Sequence, residues 1–191
     1  VSLRGQWAKG GFGMEVADLD VRLLDEQEKE NFLAGSGTLK KKQEADLKEI
    51  CMFIKGMNDP RIRALCIEFI EQFGERLQRA AAARTYHHAR RGGLVEHVAG
   101  MMRTAYAVCQ ANPELNRDLL LAGCLFHDCG KLWENCYPKE DFTMPYSEAG
   151  ELLGHIPLGI ELVNNLWKRI MSLPEADSWK TLDPTSPDVR M

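Results

Sequence analysis

The sequence predicts a mainly α-helical protein with a short β segment at its N-terminus. From about residue 43 to residue 170, apolar residues recur at three- and four-residue spacing, as they do on the buried face of amphipathic helices. Before that region, residues 1–7 and 14–23 alternate between apolar and polar side chains, and glycines lie between the two stretches. With 191 residues, of which 45% are hydrophobic, the chain is long enough for a domain with its own core.

Helix periodicity and capping residues divide the apolar region into five predicted helices. Asp59 and Asn116 are suited to cap the second and the fourth helix, and Pro60 fits a first helical turn. Gly92 and Gly93 interrupt the chain before the third helix. A loop rich in proline and aromatic residues is predicted for 135–150. The helices are expected over residues 45–57, 60–83, 94–111, 116–128 and 154–170.

These elements suggest three parts of the chain. We assign residues 1–35 to the β segment, 36–59 to a linker with a short helix, and 60–191 to a helical domain. The chain begins at Val1 within a strand pattern and ends at Met191 after a polar, proline-containing tail. We therefore expect a piece of a longer protein, with further strands before it and further helices after it.

The composition argues against several classes of protein. No apolar run reaches the roughly 18 residues of a membrane span, and no secretory leader opens the chain, so we expect no membrane partner. The net charge of −4 argues against indiscriminate electrostatic capture of nucleic acid. Six cysteines are scattered without a Cys-x-x-Cys motif, which indicates free thiols in a reducing cytoplasm rather than a disulfide framework.

Two histidines and an aspartate occupy positions that an apolar core does not explain. His97 lies on the same helix face as Met101, and His127 and Asp128 end the most apolar predicted helix. An unpaired carboxylate buried there would be costly, so Asp128 needs a partner. Imidazole and carboxylate together suit manganese, iron, zinc or nickel. The alternative is a buried ion pair between Asp128 and Lys131 or an arginine.

His97 and the motif His-Asp-x-Gly-Lys at 127–131 resemble the HD superfamily of metal-dependent phosphohydrolases. Residues 86–97, 115–123 and 150–156 make the resemblance more specific, because they are similar, in this order, to stretches of the YhaM-type 3′→5′ exoribonucleases. The resemblance covers about residues 60–170. The N-terminal strands resemble the last strands of the oligonucleotide-binding OB-type domain that precedes the HD domain in that family.

The resemblance implies a metal centre built from histidine and aspartate. His97, His127 and Asp128 would be ligands of a divalent metal, and His155 would bind a second ion or face the phosphate. The structural alternative for His155 is a polar residue that meets solvent at a helix start. The implied metal is manganese, with iron, zinc, nickel or magnesium as alternatives, as one or two ions in the complete protein. The family closes its site with a later aspartate, which we expect beyond residue 191.

The resemblance also implies which side chains act on the substrate. Asp128 and Lys131 would be catalytic, with Asp128 orienting the attacking water and Lys131 meeting a phosphoryl oxygen. His88 and Arg91, which precede the metal-binding helix, would bind substrate phosphates. The structural alternatives are a solvated lysine at a helix end and an exposed loop whose arginines serve solubility.

Taken together, the residues and the resemblance lead us to expect a cytoplasmic, metal-dependent phosphodiesterase that acts as a 3′→5′ exoribonuclease on single-stranded RNA or oligonucleotides. A metal-bound water supplies hydroxide near neutral pH, so no nucleophilic serine or cysteine is needed. The alternatives are an HD phosphohydrolase of free or cyclic nucleotides and a nucleic-acid-binding HD protein without catalysis. We also expect self-association through helices, because apolar surface would remain uncovered on residues 119–126 or 156–170.

Overall fold

The computed structural model describes residues 2–7, 14–20, 22–28, 37–83, 88–137 and 144–182. Within these ranges a two-stranded antiparallel sheet is followed by helices, which confirms the mainly helical class. The predicted glycine turn between the strands and the polar tail after residue 182 lie outside the described residues. The division of the chain into 1–35, 36–59 and 60–191 stays a prediction.

The N-terminal strands lie where the alternating pattern predicts them. Strand β1 spans Ser2–Trp7 and strand β2 spans Met14–Asp20. They pair in antiparallel register, with Leu3 opposite Leu19 and one register irregularity partway along the ladder. An isolated two-stranded sheet is marginal in water, so this ribbon needs further packing to be stable.

The helical region is organised around one apolar core. Phe69, Leu121, Leu125 and Ile170 contribute fully buried side chains to that core from three different helices. The elements that follow β2 are, in chain order, α1 (Gly37–Lys55), α2 (Pro60–Arg79), α3 (Gly93–Ala111), α4 (Arg117–Phe126), α5 (Lys131–Glu134), α6 (Glu148–Leu153), α7 (His155–Met171) and a 3₁₀ helix (Pro174–Thr181). Helix α3 contacts α1, α2 and α4, while α7 lies against α2 and α5.

Local signals in the sequence set the starts of three helices. The Asp59 side chain accepts hydrogen bonds from two backbone N–H groups in the first turn of α2. Asn116 does the same for the backbone N–H of Leu119 in α4, at 3.0 Å. Gly92 precedes α3 with φ of +72°, in the left-handed region that favours glycine.

Helix α1 is longer than the sequence predicts. It begins at Gly37 rather than residue 45, because the polar side chains of its first turns find partners on other elements. Gln43, for example, donates hydrogen bonds to the Glu96 carboxylate and to the backbone carbonyl of Arg91, at 2.9 and 2.8 Å. Such contacts leave no apolar periodicity in the sequence, so the periodic pattern marks only the second half of the helix.

Two other boundaries also depend on contacts between distant residues. Helix α2 ends at Arg79 rather than residue 83, because the backbones of Ala80 and Ala82 hydrogen-bond to the segment that enters α3. Helix α6 begins inside the predicted loop 135–150, where the Ser147 side chain accepts from the backbone N–H of Gly150 at 2.9 Å and caps the helix.

Apolar side chains remain exposed on α7 rather than on α4. Ile156 and Ile160 are 63% and 51% exposed, whereas Leu121 and Leu125 on α4 are buried. The uncovered surface that the sequence predicts is therefore found on the last α-helix. Among the described residues, no helix has both the length and the hydropathy that crossing a membrane requires.

Candidate metal centre

Side chains from four elements meet where α4 ends. His97 lies in the second turn of α3, His127 and Asp128 follow the last residue of α4, Lys131 begins α5, and His155 begins α7. The structure thus brings together five of the residues that the sequence singled out. Each of these side chains extends from the end or the face of a helix that packs on the apolar core.

His97, His127 and Asp128 form the most compact group. The Nε2 atoms of the two histidines are 3.1 Å apart, and they lie 3.5 and 3.3 Å from Oδ2 of Asp128. One ligand atom from each residue lies within 4.8 Å of the other two, which is close enough for all three to share one metal ion. Two imidazoles and a carboxylate are a donor set that suits manganese, iron, zinc or nickel.

The ring of His127 is oriented by the protein backbone. Its Nδ1 lies 2.9 Å from the carbonyl oxygen of Cys124, and a carbonyl can only accept, so Nδ1 carries a proton. In the neutral ring, Nε2 then presents its lone pair toward His97 and Asp128. A hydrogen bond to Asp128 raises the pKa of His127, whereas burial lowers the pKa of His97 despite the attraction of Asp128. The two rings therefore differ in basicity, with the pKa of His127 shifted up and that of His97 shifted down.

Asp128 is a buried carboxylate with a cationic partner. Lys131 Nζ lies 2.9 Å from its Oδ2 and also donates to the backbone carbonyl of Ala82 at 2.6 Å. Burial opposes ionisation of Asp128, but hydrogen bonds from His127 and Lys131 lower its pKa well below the usual range. The buried ion pair considered from the sequence is therefore present, and Lys131 is not a solvated lysine at a helix end.

A close approach of two backbones brings His155 to this group. A Cβ atom on Gly130 would lie 1.8 Å from the carbonyl oxygen of His155 and 2.6 Å from the backbone nitrogen of Gly159, so only glycine fits. This contact places the first turn of α7 against the turn that carries Asp128. The Nε2 atom of His155 consequently lies 3.5 Å from the second carboxylate oxygen, Oδ1, of Asp128.

Glu134 belongs to the site but was not among the residues singled out from the sequence. Its Oε1 atom lies 3.0 Å from Nδ1 of His155 and 3.0 Å from the backbone nitrogen of the same residue. Glu134 lies six residues after Asp128 in the four-residue helix α5, where no periodic pattern distinguishes it. Glu134 could have been identified from the sequence only if its contact with His155, twenty-one residues later, had been known.

Glu96 is a second buried carboxylate that the sequence analysis passed over. It accepts hydrogen bonds from Lys42, Gln43 and Arg90 at 2.8–3.1 Å, and its side chain is 2% exposed. Burial alone would raise the pKa of Glu96, but these bonds lower it to about 2. The available signal was an acidic residue on the otherwise apolar first turns of α3, next to His97.

The basic residues before α3 lie near the metal-ligand candidates or near Glu96. The His88 ring centroid lies 6.2 Å from that of His97, and His88 has a φ of +60°, which is uncommon for a residue other than glycine. Arg90 pairs with Glu96 instead of Asp128. Burial and the positive charge of Arg79 lower the pKa of Arg91. His88 is thus close to the metal-ligand candidates, and its Nδ1 also lies 3.7 Å from Oε2 of Glu96.

An apolar groove of about 460 Å³ opens beside the metal-ligand candidates. His88, Glu96 and His97 form one part of its wall, and α3 and α4 form the rest. The other lining residues are Gly100, Met101, Thr104, Ala105, Val108, Leu120 and Cys124.

The fold and these side chains define a helical domain with a candidate centre for a divalent metal. A model of the HD domain family matches residues 94–180, which contain His97, His127, Asp128 and His155. The resemblance to HD-domain proteins that is visible in the sequence is thus confirmed over this segment.

Proteins named 3′-5′ exoribonuclease YhaM are similar to this chain. The one from Oceanobacillus iheyensis is 34% identical over 146 residues, which cover 75% of this chain and 44% of the relative. Those from a Geobacillus strain and from Listeria welshimeri are 35% and 33% identical over 117 and 128 residues, covering 61% and 67% of this chain and 35% and 39% of the relatives. The chain thus spans less than half the length of these relatives. No solved structure matches it.

Proposed function

We propose that this chain carries the metal-binding region of a metal-dependent phosphodiesterase, specifically a 3′→5′ exoribonuclease that acts on single-stranded RNA or oligonucleotides. The observation that supports it most is the convergence of His97, His127 and Asp128 on a space that one ion could fill. The HD domain and the names of the similar proteins point to the same chemistry.

In this proposal, His97 and His127 bind the metal through Nε2 and Asp128 binds it through a carboxylate oxygen. A bound divalent metal supplies a low-pKa water and neutralises charge on a phosphodiester. The protein supplies orientation: the Cys124 carbonyl fixes the ring of His127, and the turn at Gly130 fixes Asp128. No serine or cysteine nucleophile is required.

The remaining candidate residues act on the phosphate or a second ion. His155 lies on the Oδ1 side of Asp128, opposite the oxygen that faces the other two histidines, and we assign it to a second ion or to the phosphate. Lys131 is held beside Asp128, where its ammonium group could also contact a phosphoryl oxygen. His88 borders the groove next to His97, which favours it as a phosphate ligand, and Arg91, three residues later in the chain, stays the second predicted phosphate ligand.

Metal binding is the first step to test. We expect the purified chain to bind Mn²⁺ when it is titrated by calorimetry, with iron, zinc, nickel and magnesium compared in the same assay. Substitution of His97, His127 or Asp128 by alanine should remove that binding. Wild-type affinity in all three variants would place the ion elsewhere.

The substrate is tested with the protein in the full length that its gene encodes. With Mn²⁺ added, a 5′-labelled oligoribonucleotide should shorten one nucleotide at a time from its 3′ end, and EDTA should stop the reaction. Cleavage of free or cyclic nucleotides alone would favour the alternative phosphohydrolase. RNA binding without any hydrolysis would favour the non-catalytic alternative.

Two further expectations concern partners. We propose that the strands at 2–7 and 14–20 belong to an OB-type domain that binds the single strand, in line with the resemblance stated above. We also propose that the exposed Ile156 and Ile160 side chains support self-association. Analytical ultracentrifugation of an Ile156→Ser/Ile160→Ser variant tests the second point, because loss of a dimer would support it and an unchanged sedimentation coefficient would not.

A further inference from the structure

Glu134 and His155 are joined by two hydrogen bonds that end on one oxygen. Oε1 of Glu134 lies 3.0 Å from the ring nitrogen Nδ1 of His155 and 3.0 Å from its backbone nitrogen. We infer that Glu134 is a positioning residue that fixes the His155 ring with Nε2 directed at Asp128. This inference rests on the proposed function, because it gives His155 a defined place in the metal centre.

The chemistry of a carboxylate determines which ring nitrogen carries the proton. An ionised carboxylate can only accept, so the contact with Glu134 places the hydrogen of a neutral His155 ring on Nδ1. Nε2 is then an unprotonated donor atom, 3.5 Å from Oδ1 of Asp128. The backbone N–H of His155 donates to the same oxygen and keeps that oxygen beside the ring. Rotation of the ring away from Asp128 would therefore break the hydrogen bond from Nδ1 while the backbone hydrogen bond remained. Carboxylates in this position orient histidine ligands and increase their basicity.

Glu134 itself is held in place by the segment that leads to α6. The backbone N–H of Ser147 donates to the Glu134 carbonyl at 2.9 Å, and the Ser147 hydroxyl donates to the carbonyl of Trp133 at 2.6 Å. A Cβ atom on Gly150 would lie 2.1 Å from the Glu134 carbonyl oxygen, so this backbone contact is as close as glycine allows. The carboxylate therefore extends from a backbone that is fixed on both sides, and its side chain is only 14% exposed.

A second role for Glu134 must be separated from the first. Gly154, which precedes α7, has no side chain to cap that helix, and the Glu134 carboxylate accepts one of the first N–H groups instead. A residue that only capped α7 would affect stability and leave the ring of His155 and the bound metal unchanged. The two roles thus predict different results for the same substitutions.

The experiment uses the full chain with Glu134→Ala, Glu134→Gln, His155→Ala and the double variant Glu134→Ala/His155→Ala. Glu161→Ala, which removes a charge from the exposed surface of α7, is the matched control. The tautomer of His155 is read from ¹⁵N chemical shifts of the metal-free protein, and Mn²⁺ binding is measured by calorimetry.

We expect His155 to carry its proton on Nδ1 in the wild type and in Glu134→Gln, whose amide oxygen can still accept, and to become a mixture of tautomers in Glu134→Ala. Glu134→Ala should weaken Mn²⁺ binding about 10- to 100-fold. In the His155→Ala background the same substitution should lower the melting temperature without a further loss of affinity. Glu161→Ala should match the wild type in both readouts.

Two results would overturn the inference: an unchanged tautomer in Glu134→Ala, or an equal loss of Mn²⁺ affinity with and without His155. Neither depends on RNA hydrolysis. If the tautomer and affinity respond as expected while the full-length protein leaves RNA intact, the proposed function fails and the role of Glu134 stands.

Discussion

Glu96, which precedes His97 in the chain, and Asp128 are both buried carboxylates, yet the balance of groups around them differs. Glu96 accepts hydrogen bonds from donors that have a permanent charge or an amide N–H group, Lys42, Arg90 and Gln43, and its only histidine neighbour among the described ion pairs is His88, whose Nδ1 lies 3.7 Å from Oε2. Asp128 faces three histidine rings and a single lysine. The first carboxylate accepts hydrogen bonds mostly from cationic and amide donors, whereas the second lies among three imidazole rings that can themselves bind a metal cation.

This difference separates a structural ion cluster from a candidate metal centre within one small region. Removing Glu96 should therefore cost stability and leave the metal ligands in place. Removing Asp128 should cost metal binding above all, since its neighbours are the other ligands.

The largest effect is expected for Asp128→Asn. Asparagine keeps the size of the side chain but cannot supply a charged ligand, so Mn²⁺ affinity should fall at least about 100-fold, more than for a residue that only orients a ligand. Hydrolysis by the full-length protein should fall to the background of the assay. Calorimetry and the RNA assay measure these changes, with Glu96→Gln as the control that keeps its metal. Full Mn²⁺ affinity in Asp128→Asn would remove the distinction between the two carboxylates.

Glu96→Ala should produce the largest loss of stability. It leaves Lys42 and Arg90 without their shared acceptor and removes the hydrogen bonds that Lys42 and Gln43 of α1 donate to α3. Because both cations are about half exposed, the expected loss in the free energy of unfolding is about 2 to 3 kcal/mol, less than the roughly 3 to 5 kcal/mol of a fully buried pair. Urea denaturation measures it. A loss below about 0.5 kcal/mol would mean that the cluster contributes no more than a surface ion pair.

The same carboxylate should make stability depend on pH in acid. The pKa of Glu96 is about 2 in the folded protein against an ordinary 4.5, so the unfolded chain takes up its proton first as the pH falls. Stability from Glu96 is complete above about pH 5 and is lost progressively toward pH 2, with about 2 kcal/mol lost between pH 5 and pH 3. Urea denaturation across this range should give a steeper dependence for the wild type than for Glu96→Gln. Parallel curves would contradict the assignment.

The smallest effect is expected for an ion pair on the surface. Glu75 and Arg79 pair along α2, and the Glu75 side chain is 78% exposed. Glu75→Ala should reduce the free energy of unfolding by less than about 0.5 kcal/mol, because solvent screens the pair. Measured beside Glu96→Ala, this variant shows how much burial alone adds. A loss equal to that of Glu96→Ala would show that burial is not what distinguishes the two pairs.

The residues that sequence analysis could identify are those whose importance is visible locally. His97 breaks an apolar helix face, and His127 and Asp128 end the most apolar helix, so each conflicts with its own neighbours in the sequence. Helix starts at Asp59 and Asn116 were predictable for the same reason, since a cap acts within its own first turn.

What sequence analysis missed depends on contacts between distant segments. Glu134 gains its role only when residues 147–155 return to it, and the first half of α1 is stabilised through Lys42 and Gln43 by a carboxylate more than fifty residues later. Hydrophobic periodicity carries no information about such polar contacts. They become visible only after the helices have been placed around the core.

Gly130 sets the distance between the two sides of the site. On one side are His97 and His127, held by α3 and α4; on the other is His155, carried by α7. The backbones of the two sides are in contact at Gly130, which has no side chain. A Cβ atom there would lie 1.8 Å from the carbonyl oxygen of His155. A carbon and an oxygen atom in van der Waals contact are roughly 3.5 Å apart. A residue larger than glycine at position 130 is therefore expected to push α7 outward and to move His155 away from Asp128. The number of side chains that can share an ion with Asp128 is thus controlled by a residue that contacts no ion itself.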